Sequence, residues 1–115
     1  METLIIVAHG SKLKSSNDEI IKIVENIKLI KKDSLVYYAF LELAEPLLCD
    51  VLETACKKSN SIKIFPYFLA GGKHVISDIP NEIEISQKKY PNVRFEILPH
   101  IGKCEGIENL IIANS

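Results

Sequence analysis

The sequence predicts a single α/β lobe of flavodoxin-like type, a four-stranded parallel sheet with helices on both faces. Three observations carry that expectation. Short, nearly all-apolar runs alternate four times with stretches whose apolar residues recur at three- and four-residue spacing. The helical stretches, about ten to seventeen residues each, have the length of right-handed crossovers between parallel strands. No linker, composition break or solenoid-period repeat interrupts the 115 residues, so the chain reads as one domain over 1–115.

The elements follow in order. Thr3 to Ala8 is a strand apolar enough to be covered on both faces. A helix is expected from about Ser16 to Lys32, because Ile20, Ile21, Val24, Ile27 and Ile30 share one face and Ser16 or Asn17 can cap its start. Ser34 to Leu41 is a β-branched and aromatic run that reads as the second strand. Glu45-Pro46 is expected to open a helix reaching Lys58, since proline suits a first helical turn. Ser61 to Phe68 is the third strand. After Gly71-Gly72 a helix is expected from roughly Asp78 to Tyr90, with Pro80 in its first turn. Asn92 to Leu98 is the fourth strand, and Glu105 to Asn114 a short final helix.

Composition narrows the function. With 47% hydrophobic and 25% charged residues, a chain of this length forms a core without staples and buries roughly two-thirds of its unfolded surface. Fourteen basic against fifteen acidic residues leave a net charge of −1, which excludes an electrostatic footprint for nucleic acid. The lysine pairs 31/32, 57/58 and 88/89 fall at expected helix ends, where cations complement the dipole. No apolar run approaches the ~20 residues of a membrane span. The Met-Glu-Thr start lacks the basic region of a signal peptide, so a soluble cytoplasmic protein is expected. Cys49, Cys56 and Cys104 contain no C-x-x-C pair; a disulfide framework or thiolate zinc site is not expected, and Cys49 and Cys56 read as buried small hydrophobes.

Ligands of open parallel sheets bind outside the carboxyl ends of the strands. The residues there are His9, Glu42, Gly71 to His74, and His100, so all three histidines of the chain fall on one edge. His9 precedes the turn Gly10-Ser11, whose backbone N–H groups are expected to face a ligand, and Gly71-Gly72 let the backbone approach one closely. Glu42 sits among apolar neighbours, where a carboxylate is costly unless paired or functional. Glu45 reads as a helix-dipole partner, and His100 is left between ligand and structural roles. Gly72-Lys73-His74 lacks the spacing of a phosphate loop. Imidazoles with a carboxylate and no thiolate suit Co²⁺, Ni²⁺, Fe²⁺ or Zn²⁺, and neutral imidazole also accepts protons near pH 7. The edge therefore predicts metal binding, proton transfer, or both.

Three motifs carry a resemblance. Val7-Ala8-His9-Gly10-Ser11, Phe40-Leu41-Glu42-Leu43-Ala44-Glu45-Pro46, and Pro66-Tyr67-Phe68-Leu69 through Gly72-Lys73-His74-Val75 to Asp78-Ile79-Pro80 resemble, in order and spacing, the motifs of the class II tetrapyrrole chelatases. The small, single-lobe sirohydrochlorin chelatases are the nearest in kind. The resemblance implies insertion of Co²⁺ or Ni²⁺, or Fe²⁺ in siroheme-making relatives, into sirohydrochlorin. It implies His9 and His74 as metal ligands and catalytic residues, Glu42 as the acidic catalytic position beside them, and no prosthetic group, the metal being substrate. Gly10, Ser11, Gly71 and Gly72 are then candidates to bind the macrocycle's eight carboxylates, with Lys12 and Lys73 flanking. Larger members carry two lobes in one chain, so a homodimer is expected here to supply a second wall. The segment after Pro99 departs from the pattern, with Cys104-Glu105-Gly106 where relatives often carry proline. A non-catalytic metal or tetrapyrrole carrier needs the same ligands. A histidine-dependent phosphate-transfer enzyme is disfavoured, because Ala8 stands where those enzymes place Arg.

Overall fold

Seven strand and helix segments alternate before a short C-terminal pair. They are β1 (Glu2–Ala8), α1 (Lys14–Ile30), β2 (Ser34–Phe40), α2 (Leu48–Lys58), β3 (Ser61–Pro66), α3 (Lys73–Lys89) and β4 (Arg94–Ile97), then a 3₁₀ turn (Ile101–Lys103) and α4 (Ile107–Ala113). The computed structural model describes the backbone throughout and the side chains of residues 1–72 and 77–115. The four strands form one parallel sheet in the order β2-β1-β3-β4, with Val7 opposite both Ala39 and Pro66.

Both faces are apolar because the strands are buried from both sides. Ile5, Val7, Ala39, Ile62 and Ile64 pack against Leu48, Val51, Leu52 and Ala55 of α2 and Ile79 of α3. On the other face, Ile6 and Val36 pack against Val24 of α1, with Leu4, Ile27, Tyr38, Phe65 and Tyr67 around them. Each fully buried Ile or Leu contributes roughly 1.5–3 kcal/mol over an exposed one. Thr3 is the polar residue fully enclosed at the amino end of the sheet. Its hydroxyl donates to Ser59 Oγ at 2.5 Å, and Ser59 donates onward to the Met1 carbonyl at 2.7 Å, which satisfies the chain.

Helix limits differ from those expected where side chains are used elsewhere. α1 begins at Lys14, ahead of Ser16, and Asn17 ties down the preceding loop instead of capping the helix. α2 begins at Leu48, because Pro46 is drawn into the sheet edge: its carbonyl accepts the Phe40 N–H at 2.9 Å, and Leu47 bridges Phe40. α3 begins at Lys73, so Pro80 lies inside the helix and not in its first turn. Cys56 is buried as expected, whereas Cys49 in the first turn of α2 is exposed.

An ion cluster ties α2 to α3. Glu53 Oε1 accepts from the Tyr90 hydroxyl at 2.6 Å and from Lys89 Nζ at 2.9 Å. The tyrosine bond, then Lys89, holds the Glu53 carboxyl below its ordinary range, and the hydrogen bond to Glu53, then burial, raises the Tyr90 hydroxyl. A depressed carboxyl contributes stability above its unfolded value, about pH 4.3, and loses it as pH falls through the lower folded value. A raised phenol contributes below about pH 10 and loses it as pH rises through the folded value. Tyr90→Phe should therefore lower the melting temperature by a few degrees at pH 7. The gap from wild type should narrow as pH falls below the unfolded carboxyl value and through the lower folded one, read by far-UV circular dichroism.

Candidate functional site

The chain runs from β1 to β2 on one side and then to β3 on the other side of β1. The order therefore switches between β1 and β3, and the crevice of an open α/β sheet lies at the carboxyl ends of such a pair. The two segments leaving those ends are His9-Gly10-Ser11 after β1 and Tyr67 to Gly72 after β3. Glu42 follows β2, and Leu98 to His100 follow β4. The edge thus presents Glu42, His9, the 67–72 segment and His100 in strand order, across three strand spacings of ~4.8 Å each.

His9 and Glu42 are joined. His9 Nε2 lies 2.7 Å from Glu42 Oε1, with the two side chains 48% and 58% exposed. Backbone pairing continues past the strands to set this geometry: Leu41 N–H donates to the Ala8 carbonyl and Glu42 N–H to the His9 carbonyl, both at 3.0 Å. Gly10 makes the close approach possible. Its φ is +98°, and a Cβ there would stand 1.8 Å from the Glu42 carbonyl oxygen. Leu43 then turns the chain with φ 66°. At 2.7 Å the contact places a proton on Nε2, so the neutral imidazole keeps its lone pair on Nδ1, facing away from the carboxylate. A carboxylate bonded to one imidazole nitrogen orients the ring and leaves the other nitrogen free to act, as behind metal-bound histidines.

The loop after His9 is braced from α1. Ser11 N–H donates to Asn17 Oδ1 at 3.0 Å, Asn17 Nδ2 donates to the Ser11 carbonyl at 2.8 Å, and Ser11 Oγ accepts from Leu13 N–H. The Ser11 amide is thus committed inside the protein, which corrects the expectation that it faces a ligand. Its hydroxyl remains at the site's border.

On the far side of the crevice, a cavity of about 520 Å³ opens between α3 and the ends of β3 and β4. Its walls are Pro66, Gly71, Ile79, Pro80, Ile97, Leu98, Pro99, His100 and Lys103, mostly apolar with an imidazole and an ammonium. The half-buried His100 ring lies over Gly71, whose absent Cβ would stand 3.2 Å from Cε1. Gly72 is open, with nothing within 4 Å of a Cβ position. Gly102 was not a candidate, yet its N–H donates to the Phe68 carbonyl and a Cβ there would stand 1.7 Å from the Leu69 carbonyl. That clamp fixes the β4 segment beneath the 67–72 segment. The glycine after Pro99-His100-Ile101 was its only signal in the sequence. His74 and Lys73, a metal-ligand and a flanking candidate, lie outside the described residues. Among the described residues, no group of three or more His, Cys, Asp or Glu side chains converges. The site described is thus a two-donor, half-exposed pair beside a largely apolar cavity.

A parallel α/β lobe with a histidine–carboxylate pair at its switch point defines the class: small ligand-handling proteins of the open-sheet kind. The comparisons narrow it. The CbiX family model matches residues 3–114, and the chain belongs to the CbiX family. It is 30% identical over 113 residues to the sirohydrochlorin ferrochelatase of Priestia megaterium, covering 97% of this chain and 41% of that one. It is 33% identical over 81 residues to the sirohydrochlorin cobaltochelatase of Methanocaldococcus jannaschii, covering 70% and 57%. The chain thus spans about half the length of these curated relatives. Among solved structures, a CbiX protein from Marinobacter aquaeolei VT8 superposes with a TM-score of 0.84 at 26% identity, over 99% of this chain and 93% of that one. The sirohydrochlorin chelatase SirB from Bacillus subtilis subspecies spizizenii, in complex with cobalt, superposes at 0.86 and 27% over 97% and 48%.

Proposed function

We propose that this chain is a sirohydrochlorin chelatase lobe that inserts a divalent metal, Co²⁺ or Ni²⁺ or else Fe²⁺, into the macrocycle in tetrapyrrole cofactor biosynthesis. The single observation that carries the reading is the 2.7 Å His9–Glu42 pair at the sheet's switch point. Family membership and the metal-handling names of its relatives support the substrate class.

The chemistry follows from the pair. Insertion exchanges one M²⁺ for two pyrrole protons, so the site must hold an ion loosely and take up protons. His9 Nδ1 offers a lone pair to the ion, with His74 as the second imidazole ligand, and few protein donors leave positions for pyrrole nitrogens to enter one at a time. As each nitrogen replaces an imidazole, the released base accepts a proton, and Glu42, already bonded to Nε2, balances the imidazolium that forms. The apolar wall of Ile79, Pro80, Ile97 and Leu98 suits one face of a large ring. Gly72, open at its Cβ position, lets the backbone approach its rim, with Gly10 and Gly71 as the other candidates. Lys103 on the cavity wall is a cation suited to a carboxylate. The metal is substrate, and the reading needs no prosthetic group. A homodimer would supply the second wall, and the reaction belongs in the cytoplasm. Among the described residues, no helix is long and apolar enough to cross a membrane.

The test is the visible spectrum of sirohydrochlorin mixed with Co²⁺, Ni²⁺ or Fe²⁺ in turn, with and without protein. The reading expects a protein-dependent rate above the spontaneous one with at least one metal, and none with any of the three contradicts it. A calorimetric Co²⁺ titration locates the ligands. His9→Ala and His74→Ala should each lose most of the affinity, whereas His100→Ala should cost less. Affinity retained in both of the first two variants would place the metal elsewhere.

A further inference from the structure

The cavity between α3 and the end of β4 holds two polar side chains to which the chemistry of the His9–Glu42 pair gives no part. Its described lining carries His100 and Lys103 and no carboxylate, and neither His9 nor Glu42 borders it. The 3₁₀ turn sets the two groups together. Lys103 N–H donates to the His100 carbonyl at 2.8 Å, and side chains three apart in such a turn eclipse, so imidazole and ammonium share one face. The turn is pinned in place. Gly102 N–H donates to the Phe68 carbonyl, Cys104 N–H to the Ile101 carbonyl, and Cys104 Sγ to the His100 carbonyl at 3.4 Å. Gly71 leaves the room that the His100 ring occupies. Lysines elsewhere pair with carboxylates, as Lys14 does with Asp18 and Lys89 with Glu53. Neither the Lys103 ammonium nor the His100 ring has a hydrogen-bond or ion-pair partner among the described residues. A cation and an imidazole N–H set in a mostly apolar hollow, with no acid to satisfy them, select an anion carried on an apolar body.

We propose that this turn is the seat for one carboxylate arm of the macrocycle. Lys103 Nζ and a His100 ring N–H hold the carboxylate, while the edge of the ring lies on Ile79, Pro80, Ile97 and Leu98. The inference rests on the sirohydrochlorin reading above, and it gives His100 a role apart from the metal. The spacing fits. The ends of β1 and β4 are two strand spacings apart, roughly 10 Å, the scale from the centre of a tetrapyrrole to a carboxylate on its rim. An ion at His9 and a carboxylate at the turn therefore belong to one ring, and the seat fixes which edge of that ring faces β4. A tetrapyrrole without rim carboxylates keeps the apolar wall and loses the seat, so the turn selects acidic macrocycles.

Titration of metal-free sirohydrochlorin with protein, followed in the visible spectrum with no metal added, tests the seat. The insertion assay above runs alongside. Lys103→Gln should weaken binding about fivefold, the range of one exposed ion pair, and H100A/K103Q about tenfold or more. Lys103→Arg keeps the charge and should stay within about twofold of wild type. Lys32→Gln removes the same charge between α1 and β2, at the amino edge of the sheet, and should bind as wild type does. Urea unfolding of Lys103→Gln should match wild type, because its ammonium has no partner among the described residues to lose. If H100A/K103Q fails to fold, Lys103→Gln carries the test. A wild type that gives no spectral shift overturns the seat. So do Lys103→Gln binding as tightly as wild type, and a loss in Lys32→Gln equal to that in Lys103→Gln; in each case the insertion assay alone decides the chelatase reading. A wild type that binds the macrocycle through Lys103 but inserts none of the three metals keeps the seat and overturns the chelatase reading.

Discussion

Glu42→Gln should lower the turnover of metal insertion by about 10²-fold or more, the range for a positioned acid–base or charge-stabilising group. Cobalt binding and the fold should be largely kept. The geometry makes the substitution selective. Glutamine retains an oxygen where Oε1 now accepts the His9 proton at 2.7 Å, so the ring stays oriented with Nδ1 available. What is lost is the negative charge. That charge matters little to a neutral imidazole and much to the imidazolium formed as pyrrole nitrogens displace it and its proton arrives. An interaction used only along the reaction lowers kcat without raising KM. A protein that merely stores metal would respond differently, with affinity changed and no rate to lose. Steady-state kinetics followed at the band of the metallated macrocycle, with a parallel Co²⁺ titration, separates the two; an unchanged rate would demote Glu42 to a structural residue.

Gly10→Ala should have a large structural effect on the His9–Glu42 approach. Two costs combine. Alanine at φ +98° is strained by about 1–2 kcal/mol. Its Cβ would also collide with the Glu42 carbonyl oxygen, 1.8 Å away, which is backbone and cannot swing aside. The segments after β1 and β2 must then separate, breaking the Glu42 N–H to His9 carbonyl bond and the side-chain pair with it. A destabilisation of about 2–4 kcal/mol is expected in urea unfolding, with insertion reduced to the spontaneous rate even where the fold persists. Gly72→Ala is the comparison, since nothing lies within 4 Å of its Cβ position, and its stability should stay within about 0.5 kcal/mol of wild type. Equal stability of the two variants would show that the His9–Glu42 approach does not depend on Gly10.

The alternation of apolar runs and helical periodicity was legible in the sequence because both record which side of each element is buried. The parallel four-stranded lobe with helices on both faces follows from that record alone. Strand order was not legible: β2-β1-β3-β4 arises from tertiary pairing, and it turns His9 from one strand-end residue among several into the residue at the switch point. His9 and Glu42 were legible as candidates, but their contact depends on Gly10 and on backbone pairing beyond the strands. Loops were least legible, since their polar groups answer to partners beyond their immediate neighbours. Pro46 is drawn to Phe40, Ser11 to Asn17, and Gly102 to Phe68. Each of these pairs is set by the folded lobe and not by its neighbours in sequence.

The central claim is that the His9–Glu42 pair moves metal into the macrocycle, and a single-turnover transfer measures this most directly. Protein loaded with one equivalent of Co²⁺ and freed of excess ion is mixed with sirohydrochlorin in a stopped-flow spectrometer. The account predicts that the metallated band appears in wild type with an amplitude equal to the bound cobalt, faster than with free Co²⁺ at the same concentration. In Glu42→Gln, loaded to the same extent, the rate should fall by about 10²-fold. Cobalt that leaves the wild-type protein no faster than free Co²⁺ reacts, or a Glu42→Gln rate equal to wild type, would contradict it.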